Sequence, residues 1–401
     1  MAEIVQLLIR LVKSALKNSC CLVLRIFSES KIIIYKYLFA LFRVQNDKIV
    51  FINEDYSCNP KAIAEEILRR GIRAKLIWLS DYKIEDIPHH IKLVTKTGIK
   101  GVYHLSTARV LIINSKGDRI RYLKKGKQYL IQTHHGSFPL KYVEAECEEK
   151  LPEVYVKYSK IDSKMTDLML SDSEWTSKFC RKALWYNGEI MESGYPRNDI
   201  YFNWKDADKQ NIRKELGIDN RTKIVTYAPT FRDNGDFSCY SLDANRLLNE
   251  LKRKTGDDWL LLVRAHPNIF FLSGKSLDFE YSDSVRDVTS YPDAQKLFLI
   301  TDILITDYSS IMIDFLLMHK PVLLFATDEQ AYVAHRGIRP EYYKLPFPHC
   351  KNNQELVESL KDLDFDNPYS DDFMKWYGSK DDGHASERVV DRIMNIKSTT
   401  K

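Results

Sequence analysis

The sequence predicts an α/β protein built from two Rossmann-like domains that face each other across a cleft. The chain has 401 residues, of which 44% are hydrophobic, and this length exceeds what one ordinary core holds. Apolar runs alternate with helix-like segments from residue 46 onward, and the alternation restarts after a polar stretch at residues 203–210. Alternating strands and helices are typical of parallel sheets covered by helices on both faces.

The first domain is expected to span residues 46–203. Its β-branched and apolar runs predict parallel strands. The pair Asn59-Pro60 predicts the start of a helix that ends at Arg70, because Asn is favoured at the cap and Pro in the first turn. The predicted strands are residues 48–52, 74–79, 91–95, 110–114 and 129–133.

The second domain is expected to span residues 204–401, after a linker at residues 203–210, and its last helix is a candidate for returning to the first domain. Helices are predicted from Ser290 and over residues 309–319. Two such domains that face each other form the GT-B arrangement, in which ligands bind beyond the carboxyl ends of the strands. The predicted strands are residues 224–227, 259–263, 303–306 and 321–325.

Residues 1–45 are predicted to form amphipathic helices that lie on a membrane surface. Residues 1–43 contain seven basic and two acidic residues and so carry a net charge of +5, while the rest of the chain is neutral. Basic amphipathic helices favour anionic lipid, and no apolar run reaches the roughly 20 residues that a spanning helix needs. One alternative is that these helices pack on the first domain. Another is that the segment crosses the membrane in a single loose pass. Because basicity is confined to this segment, no nucleic-acid partner is expected.

The sequence predicts neither a metal nor a cofactor. Its seven cysteines form no pattern with metal-site spacing, and their odd number favours reduced thiols in a cytosolic compartment. There is no Walker A loop, no glycine-rich dinucleotide motif, no nucleophile elbow and no His-Glu-x-x-His motif. No Asp-x-Asp motif follows a predicted strand. A diphosphate would then be held by hydroxyls, arginine, histidine and a helix terminus.

One loop of the first domain has residues suited to proton transfer. The strand at residues 129–133 is followed directly by His134, His135 and Gly136, and then by Ser137 and Lys141. A neutral imidazole at this place could accept a proton from a hydroxyl, and glycine permits close approach of the backbone to a ligand. The alternative is a histidine that only caps the strand end.

Loops of the second domain have residues suited to phosphate. Arg264 and His266 follow one strand and supply a fixed positive charge beside a histidine. Thr306, Asp307, Ser309 and Ser310 lie between a strand and an apolar helix, where hydroxyls and free backbone N–H groups form an anion site. The alternative is that Ser309 or Ser310 is only a helix cap.

Two further turns are candidate ligand contacts. Thr230 and Arg232 end a strand and bring another hydroxyl and another guanidinium. Arg197 lies in a Gly-Tyr-Pro-Arg-Asn-Asp turn at the predicted domain junction. For Thr230 and Arg232 the alternative is a plain turn at a strand end, and for Arg197 it is a rigid Gly/Pro hinge.

Taken in order, these segments resemble the CDP-glycerol glycerophosphotransferase family of teichoic acid and capsule assembly. The resemblance covers about residues 125–390. Two departures are a histidine, His134, in place of the usual Trp before the His-Gly pair, and Gly-Ser-Phe-Pro in place of Gly-Thr-Pro. The segments that carry the resemblance are His135-Gly136-Ser137 with Leu140-Lys141, Gly194–Asp199, Tyr227–Arg232, Arg264–Pro267, Asp287–Thr289 and Thr301–Ser310.

The resemblance implies an enzyme with a CDP-glycerol or other CDP-polyol donor and a lipid-linked saccharide acceptor, acting at the cytoplasmic face of a bacterial membrane as a peripheral protein. His135 would be the base, and His266 with Arg264 would stabilise the diphosphate or the leaving group. A glycosyltransferase that uses a nucleotide sugar is the alternative, and a non-catalytic scaffold is a further one. On this reading the donor contacts are Arg264, Thr230, Arg232, Thr306, Asp307, Ser309, Ser310 and Arg197, and the acceptor side is His134, Gly136, Ser137 and Lys141.

Overall fold

The structure, a computed structural model, describes residues 39, 41–116, 123–137, 139–232, 237–266, 269, 277–365 and 372–398. Most of the predicted N-terminal helical segment, residues 1–45, lies outside this part of the chain. Among the described residues, no helix combines the length and apolar character that crossing a bilayer requires.

The first sheet has seven parallel strands in the order β3-β2-β1-β4-β5-β6-β7. Its inner strands are buried on both faces, so they consist of continuous apolar runs and do not alternate with polar residues. The strands are β1 (Gln45–Ile52), β2 (Lys75–Ser80), β3 (Ile91–Thr95), β4 (Ala108–Ile113), β5 (Tyr129–Gln132), β6 (Leu168–Ser171) and β7 (Glu189–Glu192). The helices of this half are α1 (Cys58–Arg69), α2 (Ile99–Thr107), α3 (Glu153–Met165), α4 (Glu174–Ala183) and α5 (Ile200–Asn203).

The second sheet has six parallel strands in the order β10-β9-β8-β11-β12-β13. It repeats the organisation of the first sheet, because the strand order changes direction between β8 and β11 as it does between β1 and β4. The strands are β8 (Lys223–Tyr227), β9 (Trp259–Val263), β10 (Val285–Asp287), β11 (Ile303–Thr306), β12 (Val322–Phe325) and β13 (His349–Cys350). The helices are α6 (Asp206–Glu215), α7 (Ala244–Thr255), α8 (Ala294–Ile300), α9 (Ile311–Leu316), α10 (Glu329–Arg336), α11 (Asn353–Ser359), α12 (Asp372–Tyr377) and α13 (Ala385–Ser398).

Several element boundaries differ from the predictions. Ser57, not Asn59, occupies the N-cap position of α1, and its side chain makes no capping hydrogen bond with the described residues. The Asn59 amide bonds to another loop, as described below. The segment at residues 203–210 is not a linker throughout, since α6 begins at Asp206. Helix α8 begins after Asp293, whose carboxylate accepts from the N–H groups of the first turn. The sequence reasoning did not identify the strands β6, β7, β10 and β13, which are two to four residues long.

The two halves contact each other through the C-terminal helix and through the loops between them. Helix α13 packs on α1 of the first half, where Arg70 Nη1 lies 2.5 Å from Asp391 Oδ1. Lys141 and Ile338 form an antiparallel bridge between the halves. Lys61 of α1 and Asp293 of the second half are joined by an ion pair of 2.5 Å. The loops at the sheet edges are therefore held in register across the cleft.

Candidate active site

A cavity of about 730 Å³ lies between the carboxyl-terminal edges of the two sheets. In open parallel sheets this edge, near the point where the strand order reverses, is where ligands bind. Nine of the fourteen predicted site residues line this cleft. They are His134, His135, Gly136, Lys141, Thr230, Arg264, His266, Ser309 and Ser310.

The histidine loop leaves β5 in a strained conformation that is held by α1. His134 has φ of 56°, in the left-handed region that non-glycine residues rarely adopt. The buried Asn59 amide donates to the carbonyl oxygens of Thr133 at 3.2 Å and His134 at 2.8 Å. Two hydrogen bonds from a fully buried side chain thus stabilise the turn that presents both histidines to the cleft.

His135 is held as a neutral imidazole. Its Nδ1 lies 2.7 Å from the backbone oxygen of Asn114. A carbonyl oxygen can only accept, so Nδ1 carries the proton and Nε2 keeps its lone pair. Burial lowers the pKa of His135, and the charges of Arg197 and Lys141 lower it further. At neutral pH the ring is therefore uncharged and can accept a proton at Nε2.

The other two histidines of the cleft are neutral for the same main reason. Burial lowers the pKa of His134 to about 3, with a smaller contribution from His135. Burial lowers the pKa of His266 to about 4, with a smaller contribution from Lys141. The rings of His134 and His135 are stacked with centroids 5.2 Å apart.

The two domains approach each other closely at Gly136. A Cβ at this position would lie 2.9 Å from Ser310 Oγ, closer than real Cβ contacts. Any larger residue would force the Ser310 side chain to shift, so glycine favours the close contact between the histidine loop and the serine loop. This contact places the imidazoles opposite the hydroxyls of Ser309 and Ser310.

The second-domain wall of the cleft is polar and incompletely paired. The buried Thr230 Oγ1 has no hydrogen-bond partner among the described residues. Arg264 Nη1 donates to the backbone oxygens of Tyr291 at 2.6 Å and Val288 at 3.3 Å, which holds the guanidinium at the cleft wall. Burial lowers the pKa of Arg264, yet arginine remains charged in proteins. This wall thus presents a fixed cation to a ligand and has an unpaired hydroxyl beneath its surface.

The cleft is positively charged. Its described lining includes the cations Lys141, Arg264 and Arg336 and one carboxylate, Glu144. Glu144 is already paired with Lys116, whose Nζ lies 2.5 Å from its Oε2. An anionic ligand therefore meets three cations and one carboxylate that is already paired, in a partly desolvated space where electrostatic attraction is strong.

Five predicted contacts lie behind the cleft wall. Arg232 is 4% exposed and is bonded to Asp307 and Asp328. The Thr306 hydroxyl donates to the Ala228 oxygen at 2.7 Å. Asp307 also accepts from the backbone N–H groups of Thr230 and Tyr308. These side chains fix the shape of the two loops that carry Thr230 and Ser309.

The remaining two, Arg197 and Ser137, meet at a residue that sequence reasoning missed. Asp314 of α9 is 1% exposed and accepts from Ser137 Oγ at 2.6 Å and from Arg197 Nη2 at 2.6 Å. Arg197 Nη1 also donates to the His135 oxygen at 2.5 Å. The sequence signal for this network was a single acidic residue in the otherwise apolar helix Ile311–Leu316. The described residues contain no cluster of three or more His, Cys, Asp or Glu that could hold a metal.

Two parallel-sheet domains around a cationic cleft with a neutral histidine define a two-domain α/β transferase that acts on a phosphorylated donor. Comparison with known proteins makes this class specific. Residues 33–395 match the family CDP-glycerol:poly(glycerophosphate) glycerophosphotransferase, and the chain belongs to this family. The predictions of the family and of a transferase are thereby confirmed.

Related proteins differ in length and in the reaction that they are named for. The chain is 31% identical over 382 residues to a teichoic acid glycerol-phosphate transferase of Staphylococcus aureus, which covers 90% of this chain and 96% of the relative. It is 27% identical over 364 residues to a teichoic acid poly(glycerol phosphate) polymerase of Bacillus subtilis, which covers 86% of this chain but 48% of the relative. The chain is therefore similar in length to the transferase.

Solved structures support the same architecture. A chain of the wall teichoic acid polymerase TagF, a histidine-to-asparagine variant soaked with CDPG, has a TM-score of 0.79 and 28% identity; the match covers 92% of this chain and 95% of that one. A putative UDP-N-acetylglucosamine 2-epimerase from Listeria monocytogenes has a TM-score of 0.50 at 13% identity and shows the fold alone. The prediction of an α/β protein with two parallel-sheet domains is confirmed.

Proposed function

We propose that the protein transfers glycerol phosphate from CDP-glycerol to a hydroxyl of a lipid-linked saccharide acceptor and releases CMP. The observation that carries the proposal is the hydrogen bond between His135 Nδ1 and the Asn114 oxygen. It leaves Nε2 as an acceptor at the wall of a cleft whose described lining has three cations and one paired carboxylate. A neutral base beside an anion-binding surface is what phosphoryl transfer to a hydroxyl requires.

The reaction is a substitution at the phosphorus that carries glycerol. The acceptor oxygen forms a bond to this phosphorus, and its proton passes to His135 Nε2. The bond from the same phosphorus to the bridging oxygen breaks, and its electron pair leaves with CMP. Negative charge spreads over the phosphoryl oxygens in the transition state, so positioned cations and hydrogen-bond donors lower the barrier.

The cleft residues are assigned to the two substrates by charge and position. Arg264, His266, Thr230, Ser309 and Ser310 would contact the CDP moiety. Lys141 and Gly136 lie between the two walls and would face the transferred group. Behind them, Arg197, Ser137, Arg232, Thr306 and Asp307 would act by holding the loops through the bonds described above.

Product analysis tests this function. The protein is incubated with CDP-glycerol, CDP-ribitol or a nucleotide sugar, each with a lipid-linked saccharide, and the products are identified by mass. We expect CMP and an acceptor that has gained glycerol phosphate. Release of UDP or GDP with a sugar-extended acceptor would instead identify a glycosyltransferase.

We further propose that the segment at residues 1–45 attaches the protein peripherally to the cytoplasmic membrane surface. Support comes from its charge of +5 in residues 1–43 and its apolar face, because basic residues near anionic lipid contribute about 1 kcal/mol each. Flotation with anionic vesicles should decrease, but not vanish, at high salt. Replacement of Arg10, Lys13 and Lys17 by Glu should weaken it, and equal flotation of this variant would contradict the proposal.

A further inference from the structure

A second cavity, of about 540 Å³, adjoins the cleft on the first-domain side. We call it the side chamber and define it by Asn114, Lys116, Gln132, Tyr155, Tyr158 and Asp162, all of which line it. All of its described lining residues belong to the first domain, at the ends of β4 and β5 and along α3. His134 and His135 line both the side chamber and the cleft, so the two imidazoles stand in the wall between them.

Two nearly buried amide side chains of the side chamber are incompletely paired among the described residues. Asn114 is 8% exposed and Gln132 is 2% exposed. The Gln132 amide oxygen accepts from the His134 N–H at 3.1 Å, but its amide nitrogen has no partner among the described residues. Neither amide atom of Asn114 has a side-chain hydrogen bond there. Buried amide groups are normally paired, so these atoms are suited to a hydroxylated ligand that can both donate and accept.

The side chamber also differs from the cleft in charge. Among its described lining residues the one cation is Lys116, which is paired with Glu144 and also donates to the Leu184 oxygen at 3.2 Å. Asp162 contributes a further carboxylate to the lining. Because the Lys116–Glu144 pair is neutral as a whole, a phosphate group here would meet one net negative charge from the described lining. The charge therefore disfavours an anionic occupant, in contrast to the three cations of the cleft.

Aromatic surface completes the lining. Tyr155 and Tyr158 lie on α3 beside the carboxylates, and the Tyr155 hydroxyl donates to Glu144 at 3.3 Å. Tyrosine rings offer an apolar face with a polar edge, which suits a ligand that has one apolar and one hydroxylated surface. Amides, carboxylates and aromatic rings together match an uncharged sugar ring better than a phosphate or an acyl chain.

We propose that the side chamber is the acceptor subsite and binds an uncharged sugar ring of the acceptor. Hydroxyls of the ring would form hydrogen bonds, as donors and as acceptors, with the side-chain amides of Asn114 and Gln132. One ring hydroxyl would point from the side chamber toward His135 Nε2. The donor, which is anionic, would stay in the cleft. This inference rests on the proposed function and specifies which part of the acceptor the first domain recognises.

Binding and turnover of the full chain test the inference separately. Methyl glycosides of common hexoses and N-acetylhexosamines are titrated into wild type and Asn114→Ala and followed by saturation-transfer NMR. We expect at least one glycoside to bind wild type and to bind the variant about tenfold more weakly, as loss of one or two hydrogen bonds implies. The affinity for CDP should stay unchanged, because Asn114 does not line the cleft. If no glycoside binds, or if both proteins bind it equally, the subsite assignment is overturned, whatever the turnover data show.

Acceptor selectivity provides the second readout. Asp162→Asn removes one carboxylate, so it should raise the turnover of a glycerol-phosphate-terminated acceptor relative to a saccharide-terminated one. Glu153→Gln, an exposed position on the same helix outside the side chamber, is the matched control and should leave the ratio unchanged. Thermal melts confirm that each variant is folded.

Better binding of glycerol phosphate than of any glycoside to wild type would show a phosphate site and overturn the inference. If CDP-glycerol is not used while a glycoside still binds through Asn114, the proposed function fails and the sugar subsite stands.

Discussion

The two walls of the cleft are built for different tasks. The first-domain wall presents neutral imidazoles on a strained loop. Buried side chains such as Asn59 stabilise this loop by donating hydrogen bonds to its backbone oxygens. The second-domain wall presents hydroxyls and a fixed guanidinium, and its loops are held by buried ion pairs such as that of Arg232 with Asp307. Lys141, a cation that lines the cleft, also lowers the pKa of His135. The same charge therefore favours an anionic ligand in the cleft and helps to keep this imidazole unprotonated.

The comparison predicts that rate and donor affinity can be separated by mutation. His135→Ala should lower the rate of CMP release about 10²–10⁴-fold, as loss of a general base does. CDP affinity, measured by calorimetry, should change little, because the donor contacts lie on the opposite wall. His90→Ala, an exposed histidine of the first domain, should be neutral. Near-normal turnover of His135→Ala would place the base elsewhere, with His134 the next candidate.

Asp314 connects the two walls, so its loss should weaken both. Asp314→Ala leaves the buried Arg197 guanidinium without its carboxylate partner, and breaking a buried pair on one side typically costs about 3–5 kcal/mol. We expect a loss of that order in the free energy of unfolding, measured by denaturant titration, and a lower rate because the Ser137 hydroxyl and the His135 oxygen lose their shared anchor. Lys83→Ala breaks an exposed ion pair and should change stability by less than about 1 kcal/mol. An unchanged unfolding midpoint for Asp314→Ala would show that the network contributes nothing.

The second-domain wall should control donor affinity. Replacing Ser309 and Ser310 together by Ala should weaken CDP binding, since each hydrogen bond to a charged group is worth roughly 1.5–3 kcal/mol. Calorimetry with CDP measures the effect directly. Ser284→Ala, at an exposed serine on the far side of the second domain, serves as the control. Equal CDP affinity in the double variant and the wild type would remove these hydroxyls from the donor site.

The smallest predicted effect is on the pH profile. The folded-state pKa of His135 lies below the ordinary value of 6.5, so the base stays neutral as pH falls through 6.5 and activity should be lost only at lower pH. The pKa values of His134 and His266 are lowered as well. Below pH 6.5 the unfolded chain therefore binds more protons at these three histidines than the folded chain does, so the free energy of unfolding should also fall as the pH falls through that range. Lys141→Met removes a cation that lowers the pKa of His135, and it should move the acid limb of kcat/KM to higher pH. As a control, Lys157→Met on the exposed face of α3 should leave the acid limb of kcat/KM in place. An acid limb above pH 6.5 in the wild type would contradict the lowered pKa of His135.

The sequence alone located the strands that precede the cleft loops. Apolar runs such as residues 259–263 and 303–306 coincide with β9 and β11, because strands buried on both faces consist mainly of apolar residues. In a parallel sheet the loops after such strands meet at one edge, so the order of motifs was enough to bring nine of the predicted residues to one cleft.

Only the tertiary structure decided which side chains of those loops face the ligand. Arg232 and Arg264 have similar positions after neighbouring strands, yet Arg232 turns inward because Asp307 and Asp328 surround it. Arg264 meets backbone oxygens and stays at the cleft wall. The protonated nitrogen of His135 depends likewise on the Asn114 oxygen, which lies 21 residues earlier in the chain. A side chain's direction and charge state are set by partners distant in sequence, and these partners are identifiable only after the chain has folded.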